Sequence, residues 1–226
     1  MRAGSAVRRI ASHAPGARGH KALQGQNPRM PDALIYIHGF NSAPASFKAR
    51  VLQEALAESA PARAFIAPAL PHSPAAAAQL LDALAAAHPD AVLAGSSLGG
   101  FYATWLAERH NLRAVLINPA VRPYELLAGH VGMQTNLHTG EQYEFTPAHV
   151  DELRALEVVS IAPQRYLLMV ETGDEVLDYR QAVARYRGAR QHVVEGGDHG
   201  FSDFAAHLAP VMAFLAADDP ASRAGA

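Results

Sequence analysis

The chain has 226 residues, 50% hydrophobic and 18% charged, a balance that suits one sizeable buried core and excludes a disordered or fibrous chain. Its formal net charge of -2 gives no general attraction to nucleic acid or to an anionic membrane surface. With no cysteine, disulfides, a thiol nucleophile and thiolate-held metals are excluded.

No apolar run reaches the roughly 18 residues of a membrane helix, and no secretory core opens the chain, so a soluble cytoplasmic protein is expected. Residues 1–30 carry Arg2, Arg8, Arg9, Arg18, Lys21 and Arg29 and no acid, which leaves 13 basic against 21 acidic residues beyond them. Glycines and prolines in this leader argue against the amphipathic helix of a transit peptide. A disordered extension is expected there, with Met30 as the functional start, followed by one domain over 31–218 and a tail over 219–226. Deleting residues 2 to 29 is expected to leave activity intact; loss of the fold would refute that.

In chain order, Ala33 to Ile37 reads as a buried strand running into His38-Gly39-Phe40-Asn41. Ser46 to Glu58 has helical spacing, and Ala64 to Ile66 is a short strand. Pro74 opens a helix to about His88, with Leu80, Leu81 and Leu84 as its apolar stripe. Ala91 to Ala94 is a strand, Leu98 to Arg109 a helix, and Ala114 to Ile117 a strand. Residues 119–150 interrupt the alternation without a clear strand, as a cap or substrate loop would. Tyr166 to Val170 and Gln191 to Val194 are the last strands, and Phe204 to Ala217 the closing helix. Strands alternating with helices predict a mostly parallel sheet covered on both faces, an α/β fold.

Gly95-Ser96-Ser97-Leu98-Gly99 matches G-x-S-x-G between a predicted strand and a predicted helix, the setting of a nucleophile elbow. The tight turn leaves no room for side chains two residues to either side, so Ser97 is the candidate nucleophile; Ser96 lacks the preceding glycine. A serine hydroxyl needs a base. Of the 12 histidines, His199 in Gly196-Gly197-Asp198-His199-Gly200-Phe201 lies between the last strand and the last helix, where that base belongs. The orienting acid must come from the loop after Val170, and Asp174 and Asp178 both qualify. Asp174 follows the strand by one turn and is preferred, while Asp178 suits a helix cap; Asp198 and Glu175 are weaker candidates.

An oxyanion site needs two backbone N–H groups, for which Leu98 and Phe40 are the candidates, with His38 holding the loop. No metal site is expected, since no H-E-x-x-H or comparable cluster occurs. Asn118, Tyr124, Leu126, Leu127, Met133 and Tyr143 are candidate substrate-pocket residues, against plain packing as the alternative. Phe101 and Tyr102, just after the elbow, are equally ambiguous.

Five stretches carry a resemblance to the YqiA-like bacterial esterases, small members of the α/β-hydrolase superfamily: Ile35 to Ala49, Gly95 to Glu108, Ile117 to Leu127, Thr172 to Arg180 and Glu195 to Phe201. The resemblance implies an esterase or thioesterase on small acyl substrates, with Ser97, Asp174 and His199 matching its motifs and no metal or organic cofactor. It does not name the natural substrate. An acyltransferase or peptidase with the same residues, and a non-catalytic binding protein on this fold, are the rival readings.

Overall fold

The computed structural model describes residues 33–217, together with Met1. The expected leader extension over 1–30 and tail over 219–226 therefore fall outside the described residues, Met1 apart.

Six strands form one parallel sheet: β1 (Ala33–Ile37), β2 (Ala64–Ile66), β3 (Val92–Ser96), β4 (Arg113–Ile117), β7 (Tyr166–Glu171) and β8 (Arg190–Val194), in the order β2-β1-β3-β4-β7-β8. Two further strands, β5 (Gly132–Thr135) and β6 (Gln142–Phe145), pair as an antiparallel hairpin apart from the sheet. The helices are α1 (Phe47–Ser59), α2 (Pro74–Ala87), α3 (Leu98–His110), α4 (Pro123–Leu127), α5 (Pro147–Ala155), α6 (Tyr179–Arg185) and α7 (Leu208–Ala216).

The strands are apolar throughout because both sheet faces are covered. Ile35, Ile37, Leu93, Leu116 and Leu168 pack on one side with α2, α3 and α6 residues such as Leu81, Leu106 and Ala182. Their neighbours Leu34, Tyr36, Val92, Val115, Ile117, Leu167 and Met169 face Leu52, Leu56, Phe204, Val211 and Phe214 on the other side. Alternate residues of each strand thus serve two cores.

Two sequence expectations change. The buried face of α2 is Ala77, Ala78, Leu81 and Ala85, spaced at helical intervals, while Leu80 is 40% exposed. Adjacent leucines stand about 100° apart on a helix, so Leu80 and Leu81 cannot both face the core. Residues 119–150, read as lacking a strand, hold α4 and the β5–β6 hairpin; four-residue polar strands such as Gly132–Thr135 carry too little alternation to be read.

The chain leaves β1 toward β2 on one side and returns to β3 on the other. This reversal opens a crevice at the carboxyl ends of β1 and β3, where open α/β sheets bind ligands. None of the helices among the described residues is long and apolar enough to cross a membrane.

Candidate active site

Ser97 stands between β3 and α3, at φ 54° and ψ -120°. A non-glycine residue here is strained by about 1–3 kcal/mol, so the surroundings must impose the conformation. They do so by hydrogen bonds: Ser97 N–H donates to Ile117 O at 3.1 Å, and Ser97 O accepts from Gly100 N at 2.9 Å and Ala120 N at 3.0 Å. A side chain at Gly95 would strike the Gly99 carbonyl, and one at Gly99 would strike the Ile37 carbonyl of β1. Both glycines of the motif are thus required by close backbone approach rather than by dihedral freedom. Ser96, the rival, is buried within β3.

Three side chains from three loops meet. His199 Nε2 lies 3.1 Å from Ser97 Oγ, and His199 Nδ1 lies 2.8 Å from Asp174 Oδ2 and 3.0 Å from Oδ1. Asp174 Oδ1 also accepts the N–H groups of Val176 at 2.9 Å and Leu177 at 2.8 Å. The carboxylate is 2% exposed and the imidazole 22%. Burial alone would raise the Asp174 pKa, but the bond to His199 and the two amides outweigh it and leave the carboxyl below its ordinary value. Asp178 is the N-cap of α6, accepting from Arg180 N at 3.0 Å. Its side chain is committed to that helix.

The loop after β1 passes directly under the serine: a Cβ on Gly39 would lie 3.2 Å from Ser97 Cβ and 3.7 Å from Oγ. Phe40 follows in that loop. The Leu98 N–H belongs to the first turn of α3, where a helix has no internal acceptor for it. The same helix terminus favours negative charge developing beside Ser97. His38 is buried, its Nδ1 3.0 Å from Gly39 O and its Nε2 accepting from Leu70 N at 3.4 Å, bonds that fix the loop; burial lowers its pKa.

The substrate-pocket candidates separate. Tyr143 lines a cavity of about 40 Å³ together with Phe40, Leu98 and Tyr102. Asn118 does not line it: its side chain donates to the carbonyls of Asp198 (3.1 Å) and His199 (3.2 Å) and accepts Glu171 N–H at 3.0 Å, tying the histidine loop to β7. Tyr124 and Leu127 are buried in the core, with the Arg154 guanidinium 5.2 Å over the Tyr124 ring. Leu126 and Met133 are exposed. Phe101 lines a second groove of about 700 Å³, shared with Val121 and Tyr186.

Several residues that hold the histidine loop escaped the sequence reading. Glu175, weighed as a weak acid candidate, accepts His199 N–H at 2.9 Å, and Lys48 of α1 donates to Gly200 O. Glu171, the last residue of β7, is fully buried and accepts Asp198 N–H at 3.0 Å. Its one visible signal was an acid closing an otherwise apolar strand.

Desolvation raises the Glu171 pKa, the Asp198 amide opposes this, and the neighbouring Asp203 and Asp198 carboxylates raise it further. The folded chain therefore holds the Glu171 proton more tightly than the unfolded chain does. Stability from this group is present below about pH 4.3 and is lost as pH rises toward the higher folded value. Glu171→Gln keeps the acceptor and removes that loss. It is expected to raise Tm at pH 8, with no gain at pH 4 in the same melting assay.

Among the described residues, no group of three metal-ligating side chains could hold an ion. The parallel sheet, the serine on its strand-to-helix turn and the loops gathered around it define the α/β-hydrolase fold. Solved structures share it: a protein from Agrobacterium vitis S4 aligns at 17% identity and TM-score 0.64 over 84% of this chain and 91% of that one. The alpha/beta hydrolase domain-containing protein 10 from mouse aligns at 17% and 0.58 over 83% and 92%, and the Paleococcus ferrophilus monoacylglycerol lipase at 14% and 0.59 over 82% and 95%. At such identities the likeness is one of fold. Within that fold the chain belongs to the uncharacterised protein family UPF0227, whose profile matches residues 33–216.

Proposed function

We propose that this protein is a serine esterase that hydrolyses carboxylic esters, and thioesters by the same route, through an acyl-enzyme on Ser97. The observation that carries the reading is the continuous hydrogen-bonded series Ser97–His199–Asp174 at the carboxyl ends of the sheet.

The Ser97 Oγ–H proton passes to His199 Nε2 as Oγ bonds to the ester carbonyl carbon, and Asp174 steadies the imidazolium. The carbonyl oxygen, now negative, lies toward the Phe40 and Leu98 N–H groups and the α3 terminus. Collapse breaks the bond to the alcohol or thiol oxygen or sulfur, which leaves with the proton from His199. Water then enters, its oxygen bonding to the acyl carbon as its proton passes to His199; collapse breaks the bond to Ser97 Oγ, which takes the proton back from His199 as the acid leaves. The fold relatives named lipase or hydrolase are consistent with this chemistry without fixing it.

A fluorophosphonate mimics the acylation step and stops there. Intact-mass and peptide mapping should place one adduct on Ser97; absence of labelling, or an adduct at Ser96, would overturn the reading.

A further inference from the structure

The loop that carries His199 rests on a buried carboxyl. Glu171, at the end of β7, is 0% exposed, and a Cβ on Gly197 would overlap its carboxyl group, so the loop backbone lies directly against it. Glu171 Oε2 accepts Asp198 N–H at 3.0 Å, one residue before the histidine. The Glu171 N–H donates to Asn118 Oδ1 at 3.0 Å, and Asn118 Nδ2 in turn holds the Asp198 and His199 carbonyls.

The second oxygen, Oε1, is buried and accepts no N–H or O–H among the described residues, a costly position for an ionised carboxylate. Glu171 also stands within hydrogen-bonding reach of the Asp203 carboxylate. Two carboxylates this close share one proton, and it goes to the one less able to carry charge. The Asp203 side chain is 55% exposed and lies 3.1 Å from His207 Nε2, while His207 Nδ1 meets His192 Nε2 at 3.0 Å. Water and an imidazole therefore support the charge on Asp203, and burial disfavours it on Glu171. Other charged groups do not reverse this. Asp198, whose Oδ2 accepts Ser202 Oγ–H, adds a like charge; Lys48 of α1, which faces Asp198, Glu171 and Asp174, gives its hydrogen bond to Gly200 O.

We propose that Glu171 is a positioning residue for catalysis: as the neutral acid it donates Oε1–H to Asp203, accepts Asp198 N–H on Oε2, and so holds His199 Nε2 within reach of Ser97 Oγ. This rests on the esterase reading above, since Glu171 acts only through the steps in which His199 moves a proton.

The test is kcat and KM for p-nitrophenyl acetate with the full chain. Glu171→Leu keeps the bulk of the side chain but offers neither acceptor nor donor. Its kcat is expected to fall about 100-fold, the loss that a displacement of about 1 Å at a reacting group can cause, with KM within about twofold of the wild type. Glu171→Gln, whose amide can accept from Asp198 and donate to Asp203, should recover at least about tenfold of that loss. Glu171→Asp, one methylene short of the loop, should resemble the leucine variant and replaces it if leucine prevents folding. A purely structural role would lower Tm and leave kcat of the folded variant unchanged; that result, or a glutamine variant no better than leucine, would overturn the proposal.

Infrared difference spectra of wild type against Glu171→Gln read the proton itself. At pH 6 an ordinary glutamate, with a pKa of about 4.3, is ionised, so a carboxylic-acid carbonyl band carried by the wild type alone is expected, and its absence would overturn the neutral form. Rates of fluorophosphonate labelling separate the two levels of inference. A wild type that takes no label sinks the esterase reading and this proposal with it, whereas equal rates in wild type and Glu171→Leu sink the positioning role alone.

Discussion

Ser97→Ala is expected to lower kcat for a p-nitrophenyl ester by on the order of 10⁶, the loss typical when the nucleophile of such a series is removed. The residue's hydroxyl is the atom 3.1 Å from His199 Nε2, and nothing replaces it: Ser96 lies buried in β3. His199→Ala should cost about as much, and the double variant hardly more, because the two act in one step and their effects do not add. Loss confined to a few-fold would mean that another group attacks the substrate. Ser97→Gly carries a second expectation of opposite sign. At φ 54° and ψ -120° glycine pays no side-chain penalty, so this inactive variant should melt higher than the wild type, in line with strain stored at the site. A lower Tm would show that the turn is not strained by the serine.

Asp174→Asn is expected to lower kcat by about 10⁴. The amide keeps the size of the carboxylate but no longer supports the positive charge on the His199 ring, and its NH₂ favours the wrong tautomer. Asp178→Asn is the matched comparison, since both aspartates fit the same sequence window. Its side chain caps α6, a place asparagine fills almost as well, so activity should change little. Kinetics showing the larger loss at position 178 would reverse the assignment. Stability gives an independent readout. The Asp174 carboxyl titrates below its ordinary value in the folded chain, so its contribution is complete above about pH 3.9 and disappears as pH falls through the lower folded value. Asp174→Asn should therefore flatten the acid limb of a Tm-against-pH curve.

Much of the molecule was legible from local pattern. Five-residue apolar runs such as Ala33–Ile37 have no place except a doubly covered sheet, and Gly95 and Gly99 bracket a serine that only a sharp turn can present. Such features depend on residues near one another in the chain. The β5–β6 hairpin was missed because its strands are short, mixed in polarity and stabilised from outside, by Asn41 and Ser42 nearly a hundred residues earlier.

Sequence by itself determined the α/β alternation, the elbow and the order of the serine, acid and histidine loops, because period, chain order and turn chemistry are one-dimensional properties. It left Asp174 and Asp178 open, and only tertiary structure decided which of them meets His199: β7 and β8 are neighbours in the sheet, so the turn after β7 comes under the loop after β8, while Asp178 is already at a helix terminus. Tertiary structure also decided the work of Glu171, Asn118 and Glu175 on the histidine loop and of Tyr143 on the cavity wall. Hydrogen bonds across 24 to 102 residues, such as Glu175 to His199 and Tyr143 to Asn41, leave no periodic trace in a chain.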